Sequence, residues 1–316
     1  MTTPDQSFLA PPLAVTDWRK VLLVSAATET GLLDALPGRA DDLAARLGLD
    51  EHATLVALEA LALFDVVRGD GDGTFSLGRS APDADAAATL YHHARSMRQW
   101  AASLEEQLRG NPAPPSGPQR RPDRWLDSMA VGARRSAPLA VDACLTRFPA
   151  TATVLDLGGG HGEYAREFAG RGLSVTMQDR QGMIDIARQR GALEAAGVQL
   201  FAGDFFEVMA PGPFDIVFCS GVTNTFSGAR NIELYEQVRS CLAPEGRLAI
   251  HTSMRDRQPA TAMFGVQMLV VGNGGDAHPE RLYRQWLEAA GYQPVDILDV
   301  DGGPRSLLFA QAMATS

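Results

Sequence analysis

The sequence predicts an α/β fold in which a doubly wound parallel sheet follows a smaller, mainly helical N-terminal domain. Three observations predict it. From Thr153 onward, short apolar runs alternate with helix-like stretches. A glycine-rich segment, 158–162, separates the first apolar run from the first of these helices. The first 80 residues instead show helices followed by a hairpin pattern. Strand–helix alternation at this spacing is typical of parallel sheets with helices on both faces.

The N-terminal region has a winged-helix-like pattern. Apolar residues at helical spacing predict helices over 18–36, 41–47 and 51–64, and residues 66–67 and 75–77 flank a glycine-rich turn. The third helix contains no Arg or Lys, and the whole chain carries a net charge of −10. Because nucleic-acid binding needs a cationic face, the pattern favours a protein-facing surface. We therefore expect no nucleic-acid partner and a homodimer formed through this apolar surface.

Further helices are predicted over 84–109 and 123–148, on either side of a segment with five prolines, 110–122, that predicts a loop. The predicted domains are a helical dimerisation domain (1–109), a linker with connecting helices (110–149) and a sheet domain (150–316). Within the sheet domain, strands are predicted at 153–157, 173–178, 198–202, 214–219 and 247–251, with helices near 162–170, 183–196 and 230–242.

The composition restricts the class of protein and its expected location in the cell. A hydrophobic fraction of 45% and a charged fraction of 21% are ordinary for a globular protein. The cysteines, Cys144, Cys219 and Cys241, are odd in number and lack metal-ligand spacing, so neither a disulfide framework nor a metal site is predicted. The polar segment Met1 to Pro12 resembles no signal peptide, and no membrane-spanning run follows. These features predict a cytoplasmic location and no membrane partner.

The candidate chemistry lies at the ends of the first three predicted strands. The sequence Gly158-Gly159-Gly160-His161-Gly162 follows the first strand, where the backbone must turn sharply and approach a ligand closely. Asp179 ends the second strand, 21 residues beyond Gly158, where an acid accepts hydrogen bonds from ribose hydroxyls. Asp204 and Phe205 follow the third strand and suit an adenine. The spacing differs from the G-x-G-x-x-G of NAD enzymes, and Asp156 before the glycines suits a ligand with a cationic amino-acid moiety.

These residues resemble the S-adenosylmethionine (SAM)-dependent O-methyltransferases of the plant caffeate type and their bacterial natural-product relatives. The resemblance rests on VLDLGGGHG (154–162), Asp179, AGDFF (202–206) and EAAGY (288–292). It implies a Rossmann-like SAM-binding sheet behind a winged-helix-like dimerisation domain, and a homodimer. By the same resemblance, Gly158 and Gly160 line the methionine and ribose part, Asp179 holds the ribose, and Asp204 with Phe205 holds the adenine. Asp156 and Ser220 complete the predicted cofactor set.

The catalytic segment departs from the family pattern. The family carries a His-Asp-Trp-like triplet whose histidine deprotonates the acceptor, and Asn224 stands at that position. A Gly-Lys-Glu-like stretch corresponds to 274–278, with Ala277 in place of the glutamate. Since asparagine takes no proton near neutral pH, Asn224 is predicted to orient a carbonyl or enolate. The alternative is that Asn224 only caps the loop after the fourth strand.

Three hypotheses for the reaction remain open. The acceptor is acidic enough to need no base, or a substitute base acts, or the chain uses SAM for a reaction other than methylation. For the second hypothesis His278 is the candidate, beside His251 and the pair His92-His93. The predicted substrate-binding residues are Met129, Phe226, Phe264 and Met268, although such apolar residues equally suit a core or dimer interface. The predicted function is methylation, on oxygen or carbon, of a small hydrophobic acceptor of aromatic or polyketide-like type.

Overall fold

The computed structural model describes residues 17–111, 121–258, 261–272, 274–293, 296–300 and 305–313. The N-terminal stretch 1–12 and most of the predicted proline-rich loop lie outside the described residues. The chain divides into two compact units, Met1–Arg98 and Gln99–Ser316. The predicted three-part division at residues 109 and 149 stays a prediction.

The first unit combines short helices with a small antiparallel sheet. Its elements are α1 (Asp17–Glu29), β1 (Gly38–Arg39), α2 (Ala40–Leu47), α3 (Glu51–Ala62), β2 (Val67–Gly69) and β3 (Thr74–Leu77), with the sheet order β1-β3-β2. The predicted hairpin is confirmed, since Val67 lies opposite Leu77. The first helix is shorter than the predicted 18–36 span. It ends at Glu29, because Gly31 takes a left-handed conformation (φ +76°) that terminates the helical turn.

The second unit contains a seven-stranded sheet. The helix α4 (Ala84–Leu108) runs into this unit from the first. It is followed by α5 (Pro122–Arg147), β4 (Thr153–Leu157), α6 (Glu163–Gly170), β5 (Ser174–Asp179), α7 (Gln181–Arg190), α8 (Ala192–Ala195), β6 (Gln199–Ala202), β7 (Phe214–Ser220), a 3₁₀ turn (Thr223–Thr225), α9 (Gly228–Arg239), β8 (Leu242–Thr252), α10 (Thr261–Val271), α11 (Glu280–Ala289), β9 (Asp296–Asp299) and β10 (Ser306–Gln311). The strand order is β6-β5-β4-β7-β8-β10-β9.

The predicted α/β class is confirmed, with two corrections. All five predicted strands are present and pair in parallel, but β10 and β9 extend the sheet in antiparallel fashion and were not predicted. The predicted helix 183–196 is two helices, because Gly191 adopts a left-handed conformation (φ +66°) between α7 and α8.

Apolar side chains cover both faces of the sheet. On one face, Tyr164 and Phe168 of α6 pack against Phe218 of β7. On the other face, Tyr235 of α9 and Tyr283 of α11 lie in a second buried cluster. From β4 the chain first adds β5 and β6 on one side and then β7 and β8 on the other. Ligands of doubly wound sheets bind where this order reverses, outside the carboxyl ends of the strands.

The described residues also bear on membrane association. In this part of the chain, none of the helices combines the length and the apolar character that crossing a bilayer requires.

Candidate active site

The glycine loop between β4 and α6 depends on the absence of side chains. Gly158 and Gly160 have positive φ values of +70° and +52°. A Cβ added to Gly158 would lie 2.6 Å from Cγ2 of Val222, which follows β7. The positive φ value and the close approach of Val222 both favour glycine at position 158.

Asp179 is joined to this loop by a hydrogen bond. The Gly160 N–H donates to Asp179 Oδ2 at 2.9 Å, and the Arg180 N–H donates to Oδ1 at 2.7 Å. The side chain is buried, and burial raises the pKa of the carboxyl group. A carboxylate has lone pairs for more than these two donors, so capacity remains for the ribose hydroxyls. The structure thus brings Gly160 and Asp179 together as the sequence spacing predicts.

Asp156 lies beneath the loop. It is 1% exposed, and its Oδ2 accepts the Ala165 N–H of α6 at 3.1 Å. A Cβ on Gly159 would lie 2.7 Å from the same oxygen. Burial raises the pKa of Asp156 to about 7, and the nearby Asp179 adds to this rise. The visible role of Asp156 is to join β4 to the N-terminal turn of α6, and direct contact with the cofactor stays a prediction.

Replacing Asp156 with asparagine should change the pH dependence of stability. Because the pKa of Asp156 is raised in the folded state, its contribution is fully present below about pH 4 and is lost as pH rises through about 7. Between pH 4 and pH 8, the free energy of unfolding of the wild type should fall by about 2–4 kcal/mol relative to Asp156→Asn. Urea unfolding across this range measures the difference. The exposed control Glu236→Gln should follow the wild type, and parallel curves for wild type and Asp156→Asn would contradict the prediction.

The segment after β6 places an aromatic ring beside the loop. Asp204 Oδ1 accepts the Phe206 N–H at 3.0 Å, which closes a tight turn. The Phe205 ring lies 3.8 Å from the Cβ position of Gly158. Phe205, Phe206 and Phe226 contact one another with ring centroids 4.9–6.1 Å apart. An apolar wall therefore borders the glycine loop, as an adenine or an aromatic acceptor requires.

The Asn224 side chain is fully engaged within the protein. It is 1% exposed, and its Nδ2 donates to the carbonyl oxygens of Ser253 (3.1 Å) and Asp276 (2.9 Å). Its Oδ1 accepts the Thr252 hydroxyl at 2.7 Å. Thr252 in turn hydrogen-bonds the hydroxyl of the buried Tyr283. Because both the amide nitrogen and the amide oxygen of Asn224 are hydrogen-bonded within the protein, this geometry favours the alternative that Asn224 fixes the loop after β7. Its predicted contact with substrate stays a prediction.

His278 lies against the same segment. Its Nε2 is 2.9 Å from the carbonyl oxygen of Phe226, so this nitrogen carries the proton and donates. Nδ1 is then the basic atom, and it lies 3.8 Å from Oδ2 of Asp276. Burial lowers the pKa of His278 below the usual value, with a further contribution from Arg255. The ring is therefore neutral near pH 7 and able to accept a proton at Nδ1.

The remaining predicted residues occupy separate elements. Ser220 ends β7 and hydrogen-bonds His251 Nδ1 at 3.1 Å. Met129 is half-buried on α5, one turn after Leu126, whose side chain lies 3.5 Å from the Cβ position of Gly160. On α10, Phe264 is half-buried and Met268 is buried. Substrate contact by these side chains stays a prediction.

Sequence reasoning missed one charged residue at this edge of the sheet. Arg305 directly precedes β10 and donates from Nη1 to Ser220 Oγ at 3.0 Å. The available signal was a lone basic residue between Gly302-Gly303-Pro304 and the apolar run SLLFAQ. Without a predicted strand there, nothing in the sequence placed it beside β7.

The cofactor implied by the resemblance fits these residues. A Cβ at Gly158 would collide with Val222, so this turn carries no side chain, and the neighbouring Gly160 N–H is held by the Asp179 carboxylate, which suits a ribose. Phe205 supplies an apolar surface for an adenine on the same side of the loop. A glycine loop, a buried carboxylate and an aromatic ring thus lie together at the carboxyl ends of the parallel strands, where ligands of such sheets bind.

Comparisons with known proteins point to one family. A family model described as an O-methyltransferase domain matches residues 129–293. The 3-amino-4-hydroxybenzoate 4-O-methyltransferase of Streptomyces cremeus is 26% identical over 305 residues, which cover 87% of this chain and 82% of that protein. Flavonoid 4′-O-methyltransferase 4 of Mentha piperita is 26% identical over 184 residues, 53% of this chain and 50% of that protein.

Solved structures share the fold over nearly the whole chain. The mitomycin 7-O-methyltransferase MmcR has a TM-score of 0.75 at 23% identity and covers 93% of this chain and 94% of its own. Human N-acetylserotonin methyltransferase in complex with SAM has a TM-score of 0.72 at 20% identity, with coverage of 94% and 95%. At these identities the likeness establishes the fold.

Proposed function

Because this chain belongs to the O-methyltransferase family, whose members are SAM-dependent methyltransferases, we propose that it methylates a phenolic or enolic hydroxyl of a small, hydrophobic natural-product intermediate. The cofactor is SAM, which supplies an electrophilic methyl group on its sulfonium. The observation that carries the proposal is the glycine loop hydrogen-bonded to Asp179 at the switch point of the sheet.

An aromatic acceptor is supported by two observations. The Streptomyces cremeus relative, similar over most of this chain, is named for a hydroxybenzoate. In this chain, Phe206 and Phe226 contact each other next to Phe205, the ring assigned to the adenine. Flat, apolar surfaces of this kind bind aromatic rings and exclude water from the reacting oxygen. We propose that Met129, Phe264 and Met268 complete the apolar lining.

A panel of phenols tests this function. The protein is incubated with SAM carrying a trideuterated methyl group and with acceptors that include 3-amino-4-hydroxybenzoate. The matched control is 3-aminobenzoate, which lacks the hydroxyl. We expect a phenol of the panel to gain one trideuteromethyl group on oxygen, whereas the control gains none. Methylation on carbon would contradict the proposed O-methylation. Conversion of an acceptor without transfer of the label would show that the protein catalyses a reaction other than methylation.

The chain's own groups have two tasks in this reaction, which are to orient the acceptor and to receive its proton. Orientation alone supplies much of the rate when the acceptor is acidic. For the proton we propose Nδ1 of His278, because its Nε2–H is held by the Phe226 carbonyl and the ring is neutral near pH 7. The carboxylate of Asp276 at 3.8 Å then stabilises the imidazolium that forms.

The His278→Gln variant should lose activity in a pH-dependent manner. Glutamine retains an N–H donor for the Phe226 carbonyl but accepts no proton. We expect kcat/KM to fall by about 10²–10⁴-fold near pH 7 and by less than about tenfold at pH values where the acceptor is already ionised. Because the pKa of His278 is lowered, wild-type activity should persist below pH 6.5. The exposed control His93→Gln should match the wild type, and parallel pH profiles for His278→Gln and wild type would remove His278 as the base.

We also propose that the protein forms a homodimer through its first unit. Leu55 and Val56 of α3 and Leu63, directly after α3, are 38%, 49% and 76% exposed, so apolar side chains are exposed along this helix and at its end. Exposed apolar clusters of this kind mark protein interfaces. Light scattering at low micromolar concentration should give twice the chain mass of 33.8 kDa, and a monomer mass would contradict the proposal.

A further inference from the structure

Three polar side chains form a cluster at the carboxyl ends of β7 and β8. Ser220 is the last residue of β7 and is paired with His251 on β8. Arg305, which precedes β10, donates to Ser220 Oγ at 3.0 Å, and the same oxygen lies 3.1 Å from His251 Nδ1. We call Ser220, His251 and Arg305 the Arg305 cluster.

One hydrogen-bond direction and the charge of the Arg305 cluster follow from its chemistry. A guanidinium only donates, so Ser220 Oγ accepts from Arg305 and forms a second hydrogen bond with His251 Nδ1. His251 is 1% exposed, and burial lowers its pKa well below the usual value. The histidine is therefore neutral. The cluster holds the guanidinium in one place with neutral partners and carries a net positive charge.

Arg305 differs from two other arginines of this unit because no acidic residue among those that the structure describes pairs with it. Arg255 pairs with Asp276, and Arg257 pairs with Glu280 and Asp299. In the described ranges, Arg305 is half-buried and its one hydrogen bond is to a neutral hydroxyl. A guanidinium presents several N–H donors in a fixed fork, and withdrawing it from water without a counter-charge is costly. Its open donors are suited to a ligand anion.

The Arg305 guanidinium lies near the end of β7 and near the glycine loop. A Cβ on Gly221 would lie 3.4 Å from Arg305 Nη2, so the guanidinium packs close to the backbone after β7. Burial lowers the pKa of His161 in the loop to about 4, and the charge of Arg305 adds to this lowering. In the order β6-β5-β4-β7, the ribose acceptor Asp179 lies on β5, two strands from β7. Since strands are spaced by about 4.8 Å, a ligand held by its ribose over β5 extends about 10 Å to reach β7.

We propose that Arg305 binds the carboxylate at the amino-acid end of SAM and that Ser220 and His251 hold the guanidinium for this contact. The inference rests on SAM being the ligand of the crevice. A guanidinium and a carboxylate form two parallel, charge-assisted hydrogen bonds, which fix direction as well as position. Arg305 is thus a positioning residue, because anchoring the carboxylate fixes where the sulfonium methyl lies.

Calorimetry with two ligands tests the proposal without requiring turnover. S-Adenosylhomocysteine (SAH) carries the amino-acid end, whereas methylthioadenosine retains the adenosine and the thioether but lacks the carboxylate. For Arg305→Gln we expect SAH to bind about 10- to 100-fold more weakly and methylthioadenosine to bind as it does to wild type. Arg305→Lys should recover part of the loss, because it keeps the charge but not the fork. Arg281→Gln, an exposed arginine of α11, removes the same charge and should change neither ligand's affinity.

Three other outcomes of these titrations would contradict the proposal. If both ligands weaken equally in Arg305→Gln, Arg305 acts on the adenosine site or on the fold, and thermal melting of the free variant distinguishes these two. If SAH affinity is unchanged while KM rises for a carboxylated acceptor, the guanidinium serves the acceptor. If the wild type binds neither ligand, the cofactor site itself is refuted together with the role of Arg305, which separates that failure from a failure of Arg305 alone.

Discussion

Replacing Asp179 with alanine is expected to weaken SAH binding by about 100- to 1000-fold. The variant loses the carboxylate that suits the ribose hydroxyls, and each hydrogen bond to a charged group contributes about 1.5–3 kcal/mol. It also removes the acceptor that holds the Gly160 N–H at 2.9 Å, so the glycine loop is no longer fixed from β5. Calorimetric titration of SAH into the purified variant measures the loss.

Two further variants show whether the lost carboxylate causes the loss of SAH affinity. Asp179→Asn keeps one oxygen acceptor for Gly160, so we expect a smaller loss of SAH affinity than for alanine. Asp185→Ala removes an exposed carboxylate of α7 from the same region and should leave SAH affinity unchanged. Equal SAH affinity for wild type and Asp179→Ala, with both folded by thermal melting, would refute the ribose assignment.

Replacing Asn224 with alanine should mainly reduce stability. The variant leaves the carbonyls of Ser253 and Asp276 and the hydroxyl of Thr252 without their buried partner. Unpaired polar groups in such a network cost about 2–4 kcal/mol in the free energy of unfolding. Urea unfolding measures this loss. We expect turnover of the folded variant to fall by about tenfold or less, through lost positioning of the segment that carries Phe226.

The exposed Asn111→Ala variant is the control for Asn224 and should unfold like the wild type. The two roles of Asn224 predict opposite patterns. A variant of wild-type stability that still binds SAH but has lost all activity would show that Asn224 contacts the substrate. A destabilised variant with most of its turnover would show that Asn224 fixes the loop.

Most of the sheet could be predicted from the sequence because each parallel strand is a short apolar run bounded by a helix or a turn. The run TVLDL corresponds to β4 residue for residue. The strands β9 and β10 were missed because β10 pairs antiparallel with β8, which is distant along the chain, and β9 pairs in turn with β10. A linear pattern of apolar residues carries no information on such a partner.

The sequence predicted those contacts of the site that join the ends of neighbouring parallel strands, and it did not predict contacts between segments that are distant along the chain. Asp179 and Gly160 meet because successive parallel strands end at the same edge of the sheet. The sequence located Asn224 after β7 but not the direction of its amide, which is set by partners 28 to 52 residues away. Arg305 lies 85 residues from Ser220 along the chain, and only the folded sheet brings the two together.

The distance from the ribose hydroxyls to the Asp179 carboxylate, in a crystal structure of the SAH complex, tests the proposed cofactor site most directly. We expect both hydroxyls within about 2.5–3.2 Å of the carboxylate oxygens, with the adenine beside Phe205. A ribose held elsewhere, for instance among Leu126, Ala187 and Leu193 on the helix side of the glycine loop, would contradict the site proposed for SAM.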